Sequence, residues 1–178
     1  MRKLLFALVL SPCLTPTAAM ATGPLKVVAS FSILGDMVKN VGGDKVRVST
    51  LVGPNADTHT YQPTPADAKT LAQADIVVVN GLHLEGWLDR LIKASGYRGP
   101  VVAASKGVTT RTMIDADEGG KKITDPHAWQ NLSNGKIYAV NIEKGLAQAD
   151  PENAATYAQN ARDYTARMSG VPSASPGI

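Results

Sequence analysis

Two short segments of this chain place a histidine between an aspartate and an aromatic residue. The first is Asp57-Thr58-His59-Thr60-Tyr61-Gln62-Pro63-Thr64-Pro65 and the second is Asp125-Pro126-His127-Ala128-Trp129. A neutral imidazole is the commonest protein ligand for metals at physiological pH, and a neighbouring carboxylate can orient its ring. On residue chemistry alone, solvated loop histidines fit these segments as well. We predict two metal ligands, two orienting carboxylates and two aromatic shields against water: His59 and His127, Asp57 and Asp125, and Tyr61 and Trp129.

The third histidine, His83, lies where an apolar run turns towards a predicted helix. It is a candidate third ligand, although a capping or lining role suits its apolar neighbours equally well. Glu85 is a candidate carboxylate nearby, but the sequence contains no H-E-x-x-H segment and no glycine-rich phosphate loop. A hydrolytic zinc helix and a nucleotide-binding loop therefore have no support.

The N-terminus has the layout of a secretory signal peptide. Arg2 and Lys3 precede an apolar run at 4–10, and a small-residue cleavage pattern ends at Ala21. Because the apolar run is too short to span a membrane, we predict a signal peptide at 1–21 and export to a periplasm. The only cysteine, Cys13, lies in this segment, and Pro12 argues against a lipid anchor there.

The net charge of +3 says little about binding partners. Removal of 1–21 would leave 16 basic and 15 acidic residues, because two of the 18 basic residues lie within that segment. The sequence has no basic stripe interleaved with aromatic residues, so we expect no nucleic-acid partner. Without cysteine, the mature chain would depend on its apolar core and not on disulfides.

Strand and helix patterns alternate along the chain. Such an order is typical of βαβ units, so we predict an α/β fold with a parallel four-stranded sheet flanked by helices. The predicted strands are 26–30, 46–52, 76–80 and 101–104. Ligands of parallel sheets bind at the carboxyl ends of the strands, which is where the predicted loop of His59 lies.

Capping patterns predict where the helices begin. Ser32 is predicted to cap the first helix, Thr64-Pro65 to start the second, and Leu84 to start the third. Asp125-Pro126 and Asp150-Pro151 are predicted to start two further helices.

Two segments lack a regular pattern. The chain is polar from 105 to 124, and the sequence DADEGGKK at 115–122 is typical of a mobile surface loop. The final segment, 169–178, contains two prolines and no apolar period. We predict that this tail is disordered.

Longer stretches resemble a known protein family. The segments VVASFSILGDMVKNVGGDKVRVSTLVGPNADTHTYQPTPADAKTLAQADIVVVNGLHLEGWLDRL and ITDPHAWQNLSN are similar to the metal-binding, cluster A-I solute-binding proteins of ABC transporters. This resemblance extends from about Lys26 to Met168. It implies two α/β lobes joined by one long helix, with the metal between the lobes. It also implies that His59 and His127 are ligands, that two further ligands come from the second lobe, and that the protein serves a membrane permease without catalysing a reaction.

The resemblance also implies how this chain is divided. We expect a metal-binding N-terminal lobe at 22–149, the start of the interlobe helix at 150–168 and a non-family tail at 169–178, so that a truncated chain carries half of the metal site. Weak binding of Zn²⁺ is then expected, with Mn²⁺ as the alternative. An uncovered lobe face favours self-association, and a periplasmic metallochaperone is a further candidate partner. The segment 115–122 has no histidine, so we expect no metal-gathering loop there.

Two other functions stay open at this point. A metal-dependent hydrolase would need an open coordination position and a general base, for which Glu85 is the candidate. A metal-free surface interaction or adhesion module would need neither.

Overall fold

A parallel four-stranded sheet forms the centre of the computed structural model, which describes residues 23–115 and 119–170. The strands are β1 Leu25–Phe31, β2 Val46–Val52, β3 Ile76–Val79 and β4 Val101–Ala103. Their order in the sheet is β2-β1-β3-β4, and each neighbouring pair is parallel. The predicted α/β fold is confirmed. The predicted signal peptide at 1–21 and positions 171–178 of the predicted tail lie outside the described residues.

Helices pack on the sheet and on one another. They are α1 Ser32–Gly42, α2 Pro65–Ala72, α3 Leu88–Ser95, α4 Leu132–Ala149 and α5 Ala154–Ser169. Helix α1 packs against β1 and β2, α4 packs against β3 and β4, and α5 lies against both of these helices. Helices α2 and α3 pack against each other. No helix within the described residues is both long enough and apolar enough to cross a membrane.

Apolar burial explains why β1 and β3 lie in the middle of the sheet. All four residues of β3, and residues 27–31 of β1, are buried. Since successive side chains of a strand point to opposite faces, both faces of the sheet are covered here. A continuous β-branched run such as Ile76–Val79 is typical of such a strand. The edge strand β2 instead begins with half-buried and exposed residues in alternation.

The predicted start of the second helix is correct, and the predicted cap of the first is wrong. The Thr64 hydroxyl accepts the backbone N–H of Asp67, and the Asp67 carboxylate accepts the backbone N–H of Thr64 at 2.7 Å. This reciprocal pair is a capping box. Ser32 does not cap α1, because Phe31 occupies the cap position and Ser32 is the first helical residue.

The third helix begins at Leu88 and not at Leu84. Leu82 and His83 adopt left-handed φ angles of 54° and 64°, which an α-helix excludes. Glu85 accepts the backbone N–H groups of Asn80 and Gly81, and these hydrogen bonds close a separate turn before the helix. Leu84 and Trp87 are therefore buried in this turn, and the apolar face of the helix begins at Leu88.

Asp125-Pro126 does not start a helix. The Asp125 carboxylate accepts the backbone N–H of His127 at 2.9 Å and contacts its ring, so it is engaged with the histidine. The capping role belongs to Asn131, whose side chain accepts the backbone N–H of Ser133 where α4 begins.

An antiparallel hairpin lies between β4 and α4, where the sequence predicted a polar segment with a mobile surface loop. Strand β5 Thr112–Asp115 pairs with β6 Lys121–Thr124, and Met113 lies opposite Ile123. The surface-loop prediction is therefore wrong for the strand residues at both of its ends. Pairing of two apolar side chains across strands stabilises a hairpin even when the surrounding residues are polar.

We predict that Leu34→Ala lowers the free energy of unfolding by about 2–5 kcal/mol, because Leu34 is fully buried against the sheet and its removal leaves a cavity. Its neighbour Ile33 is the matched control: it is 45% exposed on the same helix, and Ile33→Ala should change stability by about 0.5 kcal/mol or less. Urea unfolding of both variants tests this. Equal losses would show that α1 does not bury the Leu34 side as described.

Candidate metal centre

The two predicted ligand histidines meet at the carboxyl-end edge of the sheet. His59 lies in the loop after β2, and His127 lies between β6 and α4. Their Nε2 atoms are 3.1 Å apart, with ring centroids 5.1 Å apart and ring planes tilted by 53°. His59 is exposed and His127 is half-buried. The fold therefore joins two side chains that are 68 positions apart in the chain.

The two aspartates that precede these histidines make the same hydrogen bond to the histidine backbone, but only one of them contacts the histidine ring. Oδ1 of Asp57 accepts the backbone N–H of His59 at 2.8 Å, and Oδ1 of Asp125 accepts that of His127 at 2.9 Å. Only Asp125 also contacts a ring nitrogen, Nδ1 of His127, at 2.8 Å. The second Asp57 oxygen accepts the Thr60 hydroxyl instead. Asp57 thus holds the loop backbone, whereas Asp125 holds an imidazole.

The charge on Asp125 determines which nitrogen of His127 carries the proton. The backbone N–H of His127 is the main cause that keeps the pKa of Asp125 below its usual value; burial opposes this, and the His127 ring and Arg111 add to the lowering. An ionised carboxylate only accepts hydrogen bonds, so Nδ1 of His127 is the donor. In the neutral ring, Nε2 then carries a lone pair, which faces Nε2 of His59 at 3.1 Å and can accept a hydrogen bond from it.

The separation of the two Nε2 atoms suits a shared metal ion. With Zn–N bonds of about 2.0–2.1 Å, a separation of 3.1 Å corresponds to an N–metal–N angle of roughly 95–100°. This angle lies between the octahedral and tetrahedral values, so the pair fits either kind of metal. The two imidazole nitrogens and their spacing therefore both suit a divalent metal ion.

Aromatic contacts hold each loop, although not as the sequence predicted for Tyr61. The centroid of the Trp129 ring lies 5.3 Å from that of the His127 ring and 4.9 Å from that of Phe31 at the end of β1, so Trp129 covers one side of the His127 ring. Tyr61 instead packs against Trp87 at 5.2 Å and donates to Asp67 at 2.9 Å. Tyr61 therefore anchors its loop to α2 and does not line the cleft that contains the histidines.

His83 lines the same cleft as the histidine pair but does not complete a cluster with it. The cleft has a volume of about 600 Å³, and its walls include His83, the apolar Leu82 and the hairpin residues Met113 and Ile123. Across 23–115 and 119–170, no three His, Cys, Asp or Glu side chains come together as a group that could hold a metal. The structure thus places His83 as an exposed lining residue.

Glu85 is a structural residue below the cleft. It is 8% exposed, and its carboxylate accepts from the Ser30 hydroxyl at 2.6 Å and from the backbone N–H groups of Asn80 and Gly81 at 2.6 and 3.1 Å. Burial raises the pKa of Glu85, while these hydrogen bonds lower it. Both oxygens are occupied, so this carboxylate is not placed to act as the base of a hydrolase.

Sequence patterns alone missed Asn80 and Tyr138, which are fully buried and hydrogen-bonded to each other. A detectable signal was present at Asn80, since an amide directly ends the apolar run of β3. Tyr138 offered no such signal, because a tyrosine on a buried helix face is an ordinary core residue.

Comparison with known proteins identifies the family of this chain. Residues 27–174 match the family described as zinc-uptake complex component A, periplasmic. The chain belongs to this family. It is 39% identical over 160 residues to the metal ABC transporter substrate-binding lipoprotein SsaB of Streptococcus sanguinis, covering 86% of this chain and 51% of the relative. It is 38% identical over 160 residues to the iron ABC transporter substrate-binding lipoprotein MtsA of Streptococcus pyogenes serotype M1, with the same coverage of 86% and 51%.

A solved structure with bound manganese has a similar fold. The Mn-bound periplasmic metal-binding protein of Candidatus Liberibacter asiaticus superposes with a TM-score of 0.70 at 37% identity, covering 80% of this chain and 52% of that one. This chain therefore spans about half the length of these relatives. The predicted resemblance to metal-binding solute-binding proteins of ABC transporters is confirmed, and neither the hydrolase nor the adhesion alternative gains support.

We predict that Asp125→Asn shifts the tautomer of His127, because a neutral amide oxygen is a weaker acceptor for Nδ1–H than a carboxylate. In the metal-free wild-type protein, ¹⁵N NMR should show neutral His127 with its proton on Nδ1. Asp57→Asn is the matched control: Asp57 contacts only the backbone of His59 and the Thr60 hydroxyl, so the His127 signals should not change. Identical spectra for both variants would contradict the role given to Asp125.

Proposed function

We propose that this chain contributes to the extracytoplasmic solute-binding component of an ABC transporter, and that His59 and His127 bind a divalent transition metal as the transported solute. The observation that carries this proposal is the 3.1 Å approach of two Nε2 atoms, one of which has its lone pair oriented by Asp125. Membership of the zinc-uptake family supports the same function.

Zinc is the metal we favour, with manganese as the alternative. Imidazole nitrogen suits zinc, copper, iron and nickel, whereas manganese prefers oxygen ligands. The family is described by zinc uptake, whereas similar proteins are named for manganese or for iron and several similar solved structures contain manganese. The angle that the two histidines would subtend at the ion fits more than one of these metals. The proposal of zinc therefore depends on donor chemistry, and further ligands would set the final preference.

We expect the metal ion to bind weakly to two imidazoles alone, since water would complete its coordination shell. We propose that residues 22–149 act as one metal-binding lobe and that 150–168 begin a helix leading to a second lobe, which supplies the other ligands in the whole protein. We further propose that the whole protein is periplasmic, that it delivers the metal to a membrane permease and that it catalyses no reaction. Contact with a metallochaperone and self-association stay predictions.

We predict that Zn²⁺ binds the wild-type chain and that His59→Ala and His127→Ala each weaken binding at least about tenfold. Loss of a residue that hydrogen-bonds to a metal ligand typically lowers metal affinity about 10–100-fold, and loss of the ligand itself should lower it at least as much. His83→Ala is the matched control, since His83 lines the same cleft without joining the pair. Calorimetric titration measures all four proteins, after thermal unfolding has verified that each is folded.

Equal heats for the wild type and His59→Ala would contradict the ligand assignment. A parallel titration with Mn²⁺ tests the choice of metal separately. Tighter binding of Mn²⁺ than of Zn²⁺ would make the zinc preference wrong while leaving the two ligands in place.

A further inference from the structure

A buried polar cluster lies below the cleft, at the ends of β1 and β3. We call it the Asn80 cluster; it consists of Ser30, Asn80, Glu85 and Tyr138, all at most 8% exposed. Burial of polar groups is unfavourable unless they are hydrogen-bonded. Among the described residues, every buried side-chain nitrogen or oxygen has such a partner. The cluster is therefore a fully paired network with defined donors and acceptors.

Glu85 fixes the backbone at one end of this network. Its carboxylate accepts the N–H of Asn80 at 2.6 Å and that of Gly81 at 3.1 Å, in addition to the Ser30 hydroxyl. These bonds close the turn in which Gly81, Leu82 and His83 all have positive φ. These hydrogen bonds thus fix the backbone of Asn80 just after the end of β3.

Tyr138 of α4 fixes the orientation of the Asn80 amide. The Tyr138 hydroxyl donates to Oδ1 of Asn80 at 2.5 Å. The amide NH₂ consequently points the other way and donates to the carbonyls of Gly81 at 2.8 Å and Pro126 at 3.0 Å. A rotation of the amide by 180° would place Oδ1 against two carbonyl oxygens, which only accept hydrogen bonds. One orientation is therefore strongly preferred.

The Pro126 carbonyl belongs to the peptide unit that precedes His127. Its C=O accepts from Asn80, and the N–H of the same unit, on His127, donates to Asp125 at 2.9 Å. Both polar groups of the peptide plane are held in this way, and Pro126 is itself buried. Asp125 then holds Nδ1 of the ring, so that Nε2 is directed towards His59.

We propose that Asn80 is a positioning residue for His127, and that its side-chain amide holds the Pro126–His127 peptide so that the two Nε2 atoms face one another. The expected loss of metal affinity rests on the proposed metal-binding function. The position of the His127 peptide and ring does not depend on it. Asn80 itself is buried below the cleft and does not contact the metal.

Asn141 provides a matched control. Its amide also donates to two backbone carbonyls, those of Ala104 and Lys106 at 2.7 and 2.8 Å, and so holds the chain after β4 to α4. It contacts neither histidine loop. Asn80→Ala and Asn141→Ala thus each remove an amide that donates to two backbone carbonyls; only the first frees the Pro126 carbonyl, and it also removes the acceptor of the Tyr138 hydroxyl.

The experiment measures two properties of the full chain. In the metal-free protein, ¹⁵N NMR of the His127 imidazole reports its tautomer and hydrogen bond without any dependence on metal. Titration with Zn²⁺ then gives the affinity. We expect Asn80→Ala to alter the His127 imidazole signals and to weaken Zn²⁺ binding about 10–100-fold, the range typical of outer partners of metal ligands. Asn141→Ala should leave both properties unchanged.

Tyr138→Phe provides a second variant in case Asn80→Ala does not fold. It keeps the packed ring and removes only the hydroxyl that orients the amide, so it should shift the His127 signals in the same direction by a smaller amount. Unchanged His127 signals in Asn80→Ala, or in Tyr138→Phe if only that variant folds, would overturn the inference. Changed signals in a chain that does not bind Zn²⁺ at all would uphold the positioning role and refute the proposed function.

Discussion

Burial of β1 and β3 on both faces is the constraint on which the site depends. The connections from β1 to β2, from β2 to β3 and from β3 to β4 each contain a helix, as is typical of parallel strands that are covered on both faces. Parallel strands end at one edge of the sheet, and the loops that follow them meet there. His59 after β2 and the turn of His83 after β3 are brought to this edge for that reason. Trp129 contacts Phe31 at the end of β1, which places the His127 loop there as well.

The two halves of the histidine pair are held differently. His59 lies on an exposed loop that is fixed mainly through its backbone, by Asp57 and by the bond from the Trp87 indole to the Thr58 carbonyl at 2.8 Å. His127 is half-buried, with its ring held by Asp125 and its preceding peptide held from the core. The His127 ring thus has a carboxylate partner of its own, whereas these bonds in the His59 segment hold its backbone.

Buried polar groups connect the core to the site. Glu85 resembled a functional carboxylate in the sequence because it stands two residues from a histidine. In the structure it lies under the cleft and stabilises a left-handed turn that no propensity rule favours for Leu82 and His83. Its role in the structure is therefore to hold the backbone of this turn. Asn80 extends the same network to the loop of His127.

The sequence by itself determined the sheet, the capping box of α2 and the two histidine segments, since these depend on local periodicity, local caps and residue chemistry. It did not reveal the β5–β6 hairpin or the late start of α3, because both depend on partners distant in the chain or on a buried carboxylate. Only the tertiary structure decided that Asp125 contacts an imidazole while Asp57 contacts backbone, although both precede a histidine by two residues. The physical reason is that hydrogen bonds to a ring depend on side-chain direction, which packing sets and sequence spacing does not.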